Sequence, residues 1–166
     1  MHDLATLRHL FVYSDWGNRR VLDGASALSD EQLDRPLELG PGSLRKILIH
    51  TYNGELVWLS RWKQEPARPW PAEDVLTPVR ELASSYQRVS EDRERFFDGL
   101  DPAKLSVEQT YRDSSGAAFR ALLGEMINHT LVHSMHHRAQ AVNALRRVGG
   151  PIPELGYMMR IRQPAG

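Results

Sequence analysis

The chain contains no cysteine. That absence removes disulfide bonds, thiolate metal ligands and a cysteine nucleophile together. It also lacks an excess of either charge: 21 Lys and Arg balance 21 Asp and Glu, for a net charge of zero. A nucleic-acid-binding domain usually carries a basic surplus, so no nucleic-acid partner is expected. No stretch approaches the roughly 18 apolar residues that a membrane helix requires. The opening MHDLATLRHL has early charges and no long apolar core, unlike a secretory signal. These absences lead us to expect a cytoplasmic protein that does not enter a membrane. Internal repeats, low-complexity tracts and linkers are missing too, which favours a single domain over residues 1–166. A chain of that length can bury a real core.

Helical periodicity dominates what is present. Leu4, Leu7, Phe11, Ser14, Asn18, Val21 and Leu22 recur at spacings of three and four, giving a first helix from about Asp3 to Leu28. Ser29 and Gln32 form a capping-box pattern for a short turn ending before Pro36. Ser43 caps a second helix running to about Trp62. Pro66, Pro69 and Pro71 then impose an extended loop. Thr77-Pro78 reads as a helix start, with the proline at the first helical position, for a third helix to about Leu100. Val107–Tyr111 alternates as a short strand, and Ser114-Ser115-Gly116 can turn it into a small hairpin. A fourth helix is expected from about Ala117 to Val148, stopped by Gly149-Gly150-Pro151, with a last turn around Tyr157. Four amphipathic helices pack most simply as an all-α four-helix bundle.

Four of the seven histidines fall between His129 and His137. His129, His133 and His137 are each four residues apart, so a helix stacks them on one side about 40° apart. Two imidazoles at i and i+4 can aim at one point, which is half of a metal site. The fourth helix's apolar stripe runs Leu122, Met126, His129, His133, His137, Gln140, Ala144, Val148, which places these histidines facing inward. His50, beside Ile47, Gly54 and Val57 at helical spacing, is the natural third ligand, with Gly54 leaving room on the next turn. The competing reading is a hydrogen-bonded core of histidines. His129 is either a partner of His133 or an outer residue that orients a ligand. His136 points about 100° from His137 and is expected to be exposed or at a subunit contact; His2 and His9 are expected to be exposed. Trp16, Trp58 and Trp62 read as core or interface packing. Glu55 reads as a salt-bridged helix residue, or else as a general base.

Three blocks together resemble the DinB/YfiT-like family of metalloenzymes. The first is Tyr13-Ser14-Asp15-Trp16-Gly17-Asn18-Arg19. The second joins Ser43–His50 to Glu55-Leu56-Val57-Trp58-Leu59-Ser60-Arg61. The third, Asn128–Gln140, is similar to the family's HxxxHRxQ signature, with Ala139 where glycine is common. The resemblance spans almost the whole chain. It implies a four-helix bundle, often dimeric, and a metal triad at His50, His133 and His137. Some members of that family transfer groups to or from low-molecular-weight thiols.

A three-His set suits one divalent ion per chain, Zn, Ni or Fe, and leaves a coordination position open. The expected activity is a metal-dependent nucleophilic transfer onto a small-molecule substrate, with a small thiol as co-substrate because the chain supplies none. A metal-dependent hydrolase and a non-catalytic metal- or ligand-binding protein are the alternatives. A homodimer is expected from the absence of net charge, from four tryptophans in one small bundle, and from the family habit.

Overall fold

A computed structural model of the chain describes residues 3–67 and 69–164; His2 lies outside them. The elements are α1 (Leu4–Ser26), α2 (Asp30–Asp34), α3 (Leu44–Trp62), α4 (Val79–Asp98), a 3-10 turn (Pro102–Ser106), β1 (Glu108–Arg112), β2 (Ala118–Leu122), α5 (Leu123–Arg147) and α6 (Tyr157–Ile161). The fold is all-α with one small hairpin. No helix among the described residues is long and apolar enough to cross a membrane.

Local chemistry sets the helix starts. The Asp3 carboxylate accepts from Thr6 N at the head of α1, and Ser43 accepts from Lys46 N at the head of α3. Ser29 and Gln32 close the capping box of α2 from both sides, satisfying two amide donors that a helix leaves orphaned. Two expectations shift. Pro78 is the N-cap of α4, not its first helical residue. The fourth long helix begins at Leu123 and not at Ala117, because 118–122 pair antiparallel with 108–112, Glu108 opposite Leu122 and Arg112 opposite Ala118. Cross-strand hydrogen bonds capture those residues before the helix can.

Cross-helix contacts give the directions. Tyr86 Oη donates to Leu48 O, Arg93 bonds Glu55, and Phe97 stacks on Trp62, so α3 and α4 are parallel. Arg138 reaches Ser14 and Asn18 while Leu145 meets Gly24, so α1 and α5 are parallel. His50 and Trp58 of α3 meet His137 and His129 of α5, so that pair is antiparallel. The order is up, down, down, up. The proline-rich segment 63–78 must therefore travel back along the bundle. It is pinned to α3 on the way: Asn53 Nδ2 donates to Pro71 O and Arg45 to Thr77 O.

Two apolar clusters fill the ends of the bundle. One gathers Val21, Leu22, Ile47, Leu48, Leu82, Ala144 and Leu145; the other gathers Phe11, Leu59, Trp62, Val89, Phe97, Leu123 and Ile127. Between them lies a buried polar layer of Ser14, Asn18, Glu55, Arg93, Ser134 and Arg138. Glu55 is only 1% exposed, and accepts from Asn18 Nδ2 at 2.9 Å, Ser134 Oγ at 2.9 Å and Arg93 at 2.8 Å. Arg93 also pairs with Asp15 at 2.5 Å. Glu55 and Arg93 thus compensate one another as burial requires, while Arg138 is held by neutral acceptors, Ser14 O and Oγ and Asn18 Oδ1. Gly17, which reads as a weak spot in α1, has a reason here: a Cβ would lie 2.9 Å from Arg138 Nε.

Candidate metal centre

The polar layer shifts the phase of α5. Beside the histidines the side chains that α5 buries are Thr130, Ser134 and Arg138, each one residue on from His129, His133 and His137 and so about 100° around the helix, while Met126 and Ala144 of the expected stripe are buried as read. Leu122 and His129 are exposed, and His133 and His137 half-buried. The expected inward placement of the histidines is corrected accordingly. They line the groove between α5 and α3, beside the core and not in its centre.

Across that groove stands His50, also half-buried. One ring nitrogen from each of His50, His133 and His137 lies within 4.8 Å of the others, a group that could hold a metal ion. The ring centroids are 4.4 Å apart for His50–His137 and for His133–His137, and 5.2 Å for His50–His133. His50 Nε2 and His133 Nε2 are 3.3 Å apart. Two nitrogens bound tetrahedrally to zinc at about 2.05 Å would stand roughly 3.3 Å apart. The His50–His133 pair therefore has the span of two ligands on a divalent cation of that size, with a His137 nitrogen within 4.8 Å of both.

The outer nitrogens of two rings are already engaged. His50 Nδ1 lies 2.6 Å from Glu73 Oε1, which also accepts from Trp70 Nε1 at 2.5 Å. His137 Nδ1 lies 2.8 Å from Gln140 Oε1. Both acceptors assign the proton to Nδ1 and leave the Nε2 lone pair for a ligand role. His133 Nδ1 is buried without a partner, so that ring is held by packing. Its seat is Gly54, where a Cβ would lie 2.4 Å from His133 Cε1 and 2.7 Å from Nδ1. Gly54 makes room for a ring from the facing helix, where the sequence pattern has it making room beside His50.

Burial and neighbouring rings favour the neutral form of His133 and His137. Burial, reinforced by the rings of His137 and His50, pushes His133 from 6.5 down to about 3. Burial lowers His137 too, against the opposing bond to Gln140, and lowers His129, with help from the charge of Arg61. A neutral imidazole is the form that binds metal.

The other histidines stand apart from this group. His129 packs on Trp58 with centroids 4.5 Å apart and is 6.1 Å from His133. His136 is exposed, with Gln140 Nε2 3.1 Å from its Nε2. His9 is exposed and meets Tyr157. Trp62 is core, whereas Trp16 and Trp58 are half-buried. Glu55 is the salt-bridged helix residue, not a free base, since Asn18, Ser134 and Arg93 occupy it. Glu73 and Trp70 went unnoticed in the sequence, because a proline-rich loop carries no periodicity that would aim them. The one available signal was an acidic residue and an indole three apart in a segment too proline-rich to be helical.

Comparison with known proteins agrees with this architecture. The DinB family profile matches residues 1–164. Protein DinB of Bacillus subtilis (strain 168) is 19% identical over 147 residues, covering 84% of each chain. The crystal structure of a DinB-like protein from Bacillus cereus ATCC 10987 superposes with a TM-score of 0.70 at 20% identity, over 89% of this chain and 94% of that one. With a family match that runs almost end to end, the chain belongs to the DinB family.

Proposed function

We propose that the protein is a metal-dependent enzyme whose single divalent ion is held by His50, His133 and His137. The observation that carries this reading is the convergence of three half-buried imidazoles, two with their Nδ1 protons already committed to Glu73 and Gln140. A divalent cation there would supply Lewis-acid activation of a small nucleophile or of a substrate oxygen. The chain's own part is positional. Glu73 and Trp70 hold His50, Gln140 holds His137, and Gly54 seats His133. Three neutral donors leave the ion's charge undiminished and at least one position open.

The reaction we favour is nucleophilic transfer with a small exogenous thiol, because the chain has no cysteine and Glu55 is locked in the polar layer and cannot serve as a base. Metal-dependent hydrolysis is the second reading. It is favoured by the carboxylate of Glu73 against His50. Cytoplasmic residence and a homodimer belong to the same proposal; the exposed Val12, Val132, Met135, Met158 and Met159 supply apolar surface for a second copy.

Elemental analysis of protein purified without chelator tests the ligand set. Near-stoichiometric metal is expected, lost in His133→Ala and kept in His136→Ala. Equal loss in both variants, or metal-free native protein, overturns it. Thiol consumption with an aryl halide, against ester hydrolysis, then separates the two reactions. Light scattering should return about twice the 18.9 kDa chain mass, and a persistent monomer refutes the dimer.

A further inference from the structure

Four arginines that fold into the bundle each have polar or acidic partners. Arg8 meets Glu94 and Asp98, Arg45 meets Asp30 and Asp34, Arg93 meets Glu55 and Asp15, and Arg138 meets Ser14 and Asn18. Arg61 differs. Half-buried at the end of α3, its guanidinium has no hydrogen-bond or ion-pair partner among the described residues. It lies between two aromatic rings, 4.4 Å from the Trp58 centroid and 5.2 Å from that of Tyr111. Burial lowers its pKa, against the weaker opposing pull of Tyr111 and Asp113. A guanidinium stacked this way keeps its in-plane N–H fork free for an oxyanion.

The space for one is present. Arg61 lines a cleft of about 220 Å³ between α3 and the hairpin, with Ser60, Gln64, Thr110, Tyr111 and Arg112. Ligand pockets for whole small molecules run from about 300 Å³ upward, so this cleft suits an anionic end group and a few attached atoms. The nearby carboxylates are committed. Glu65 on the cleft wall pairs with Lys63 at 2.9 Å. Asp113 accepts from Ser115 and Ala117 in the turn.

We propose that Arg61 is the anchor of an anion subsite, taking the carboxylate or phosphate group of a small-molecule ligand in the cleft walled by Tyr111. Trp58, under the guanidinium, also packs on His129, the outer end of the histidine row. Arg61 lies three turns beyond His50 along α3, a rise of about 16 Å. A substrate with its reacting atom at the triad would reach the subsite with its tail. That last link rests on the metal-centre reading; the anion subsite does not.

The test uses the full chain in two states, metal-loaded and metal-stripped after dialysis. Each is titrated with benzoate, phenyl phosphate and the neutral isostere benzamide, while NMR follows the Arg61 Nε–Hε and Trp58 indole signals. Saturable shifts are expected with at least one anion in both states, and none with benzamide. Whichever anion binds tighter names the ligand group. Arg61→Gln should weaken binding at least about tenfold. Arg61→Lys keeps the charge but not the fork, so it should fall between. Arg112→Gln removes an equal charge from the cleft rim and should change affinity by less than about twofold. Thermal melts confirm that each variant is folded, and should Arg61→Gln not fold, the lysine variant decides. Equal response to benzamide, equal affinity in folded Arg61 variants, an Arg112→Gln loss as large as that of Arg61→Gln, or no saturable shift at tens of millimolar overturns the proposal. If metal analysis refutes the triad while anion binding persists, only the link between the two sites is lost.

Discussion

Replacing Gly54 with alanine should damage metal binding far more than it damages the fold. The added methyl would sit 2.4 Å from His133 Cε1, about 1 Å inside the closest ordinary carbon contact of roughly 3.5 Å. Gly54 lies in the middle of α3, whose backbone is fixed by helix bonds and by packing against α5. The imidazole must therefore yield by about that distance. A zinc–nitrogen bond of about 2.0–2.1 Å tolerates shifts of about 0.2 Å, so His133 drops out as a ligand. Loss of a supporting residue costs about 10–100-fold in metal affinity, and loss of a ligand should reach at least the upper end of that range. The apo fold should hardly notice. Alanine gains up to about 1 kcal/mol over glycine in a helix interior, while overpacking costs about 1–3 kcal/mol, so the net destabilisation is about 0–2 kcal/mol. The assay is a chelator-competition titration with zinc, beside urea unfolding of the stripped protein. Gly99→Ala, where a Cβ meets nothing nearer than 3.9 Å, is the control and should bind normally. A folded Gly54→Ala protein with native zinc affinity would refute the reasoning.

Glu73→Gln should keep the fold and lower metal affinity about 10–100-fold, read by the same competition titration, because the carboxylate at His50 Nδ1 is exchanged for a weaker amide acceptor. Glu55→Ala should destabilise by about 3–5 kcal/mol in urea unfolding, since it leaves Arg93 buried without its innermost counter-charge. The metal-free protein should lose stability as pH falls from about 6.5 toward 3. His133 has a folded pKa of about 3 against 6.5 unfolded, so the unfolded chain binds the extra proton in that window and gains from acid. The contribution is complete above 6.5 and gone once pH passes the folded value. Chemical unfolding at several pH values should show a shallower decline for His133→Gln, and identical declines would count against a buried neutral His133.

Much of the local architecture was legible in the residue pattern. Spacings of three and four gave the long helices, and Ser29 with Gln32 gave a capping box that the structure forms in full. The four-residue steps through His129, His133 and His137 put two candidate ligands on one helical side, because helix geometry is local and repeats every turn. His50 followed as the third imidazole on another helix, and the structure brings it to the same groove.

What tertiary structure decided is wherever partners are distant in sequence. The facing of the histidines on α5 was misread because Ser134 and Arg138 look like surface residues; Glu55, Ser14 and Asn18, 79 to 124 positions away, satisfy them in the interior. Residues 118–122 read as helix until β1 captured them, since hairpin bonding competes directly with helix bonding for the same amides. Glu73 and Trp70 had no pattern to announce them. Their place beside His50 exists because α3 and α4 are parallel, which forces the intervening prolines to run back along α3 and past the histidines. Helix content, caps and histidine spacing are properties of neighbours along the chain. The outer support of the metal centre depends on the path of a loop, and only the packed bundle sets that path.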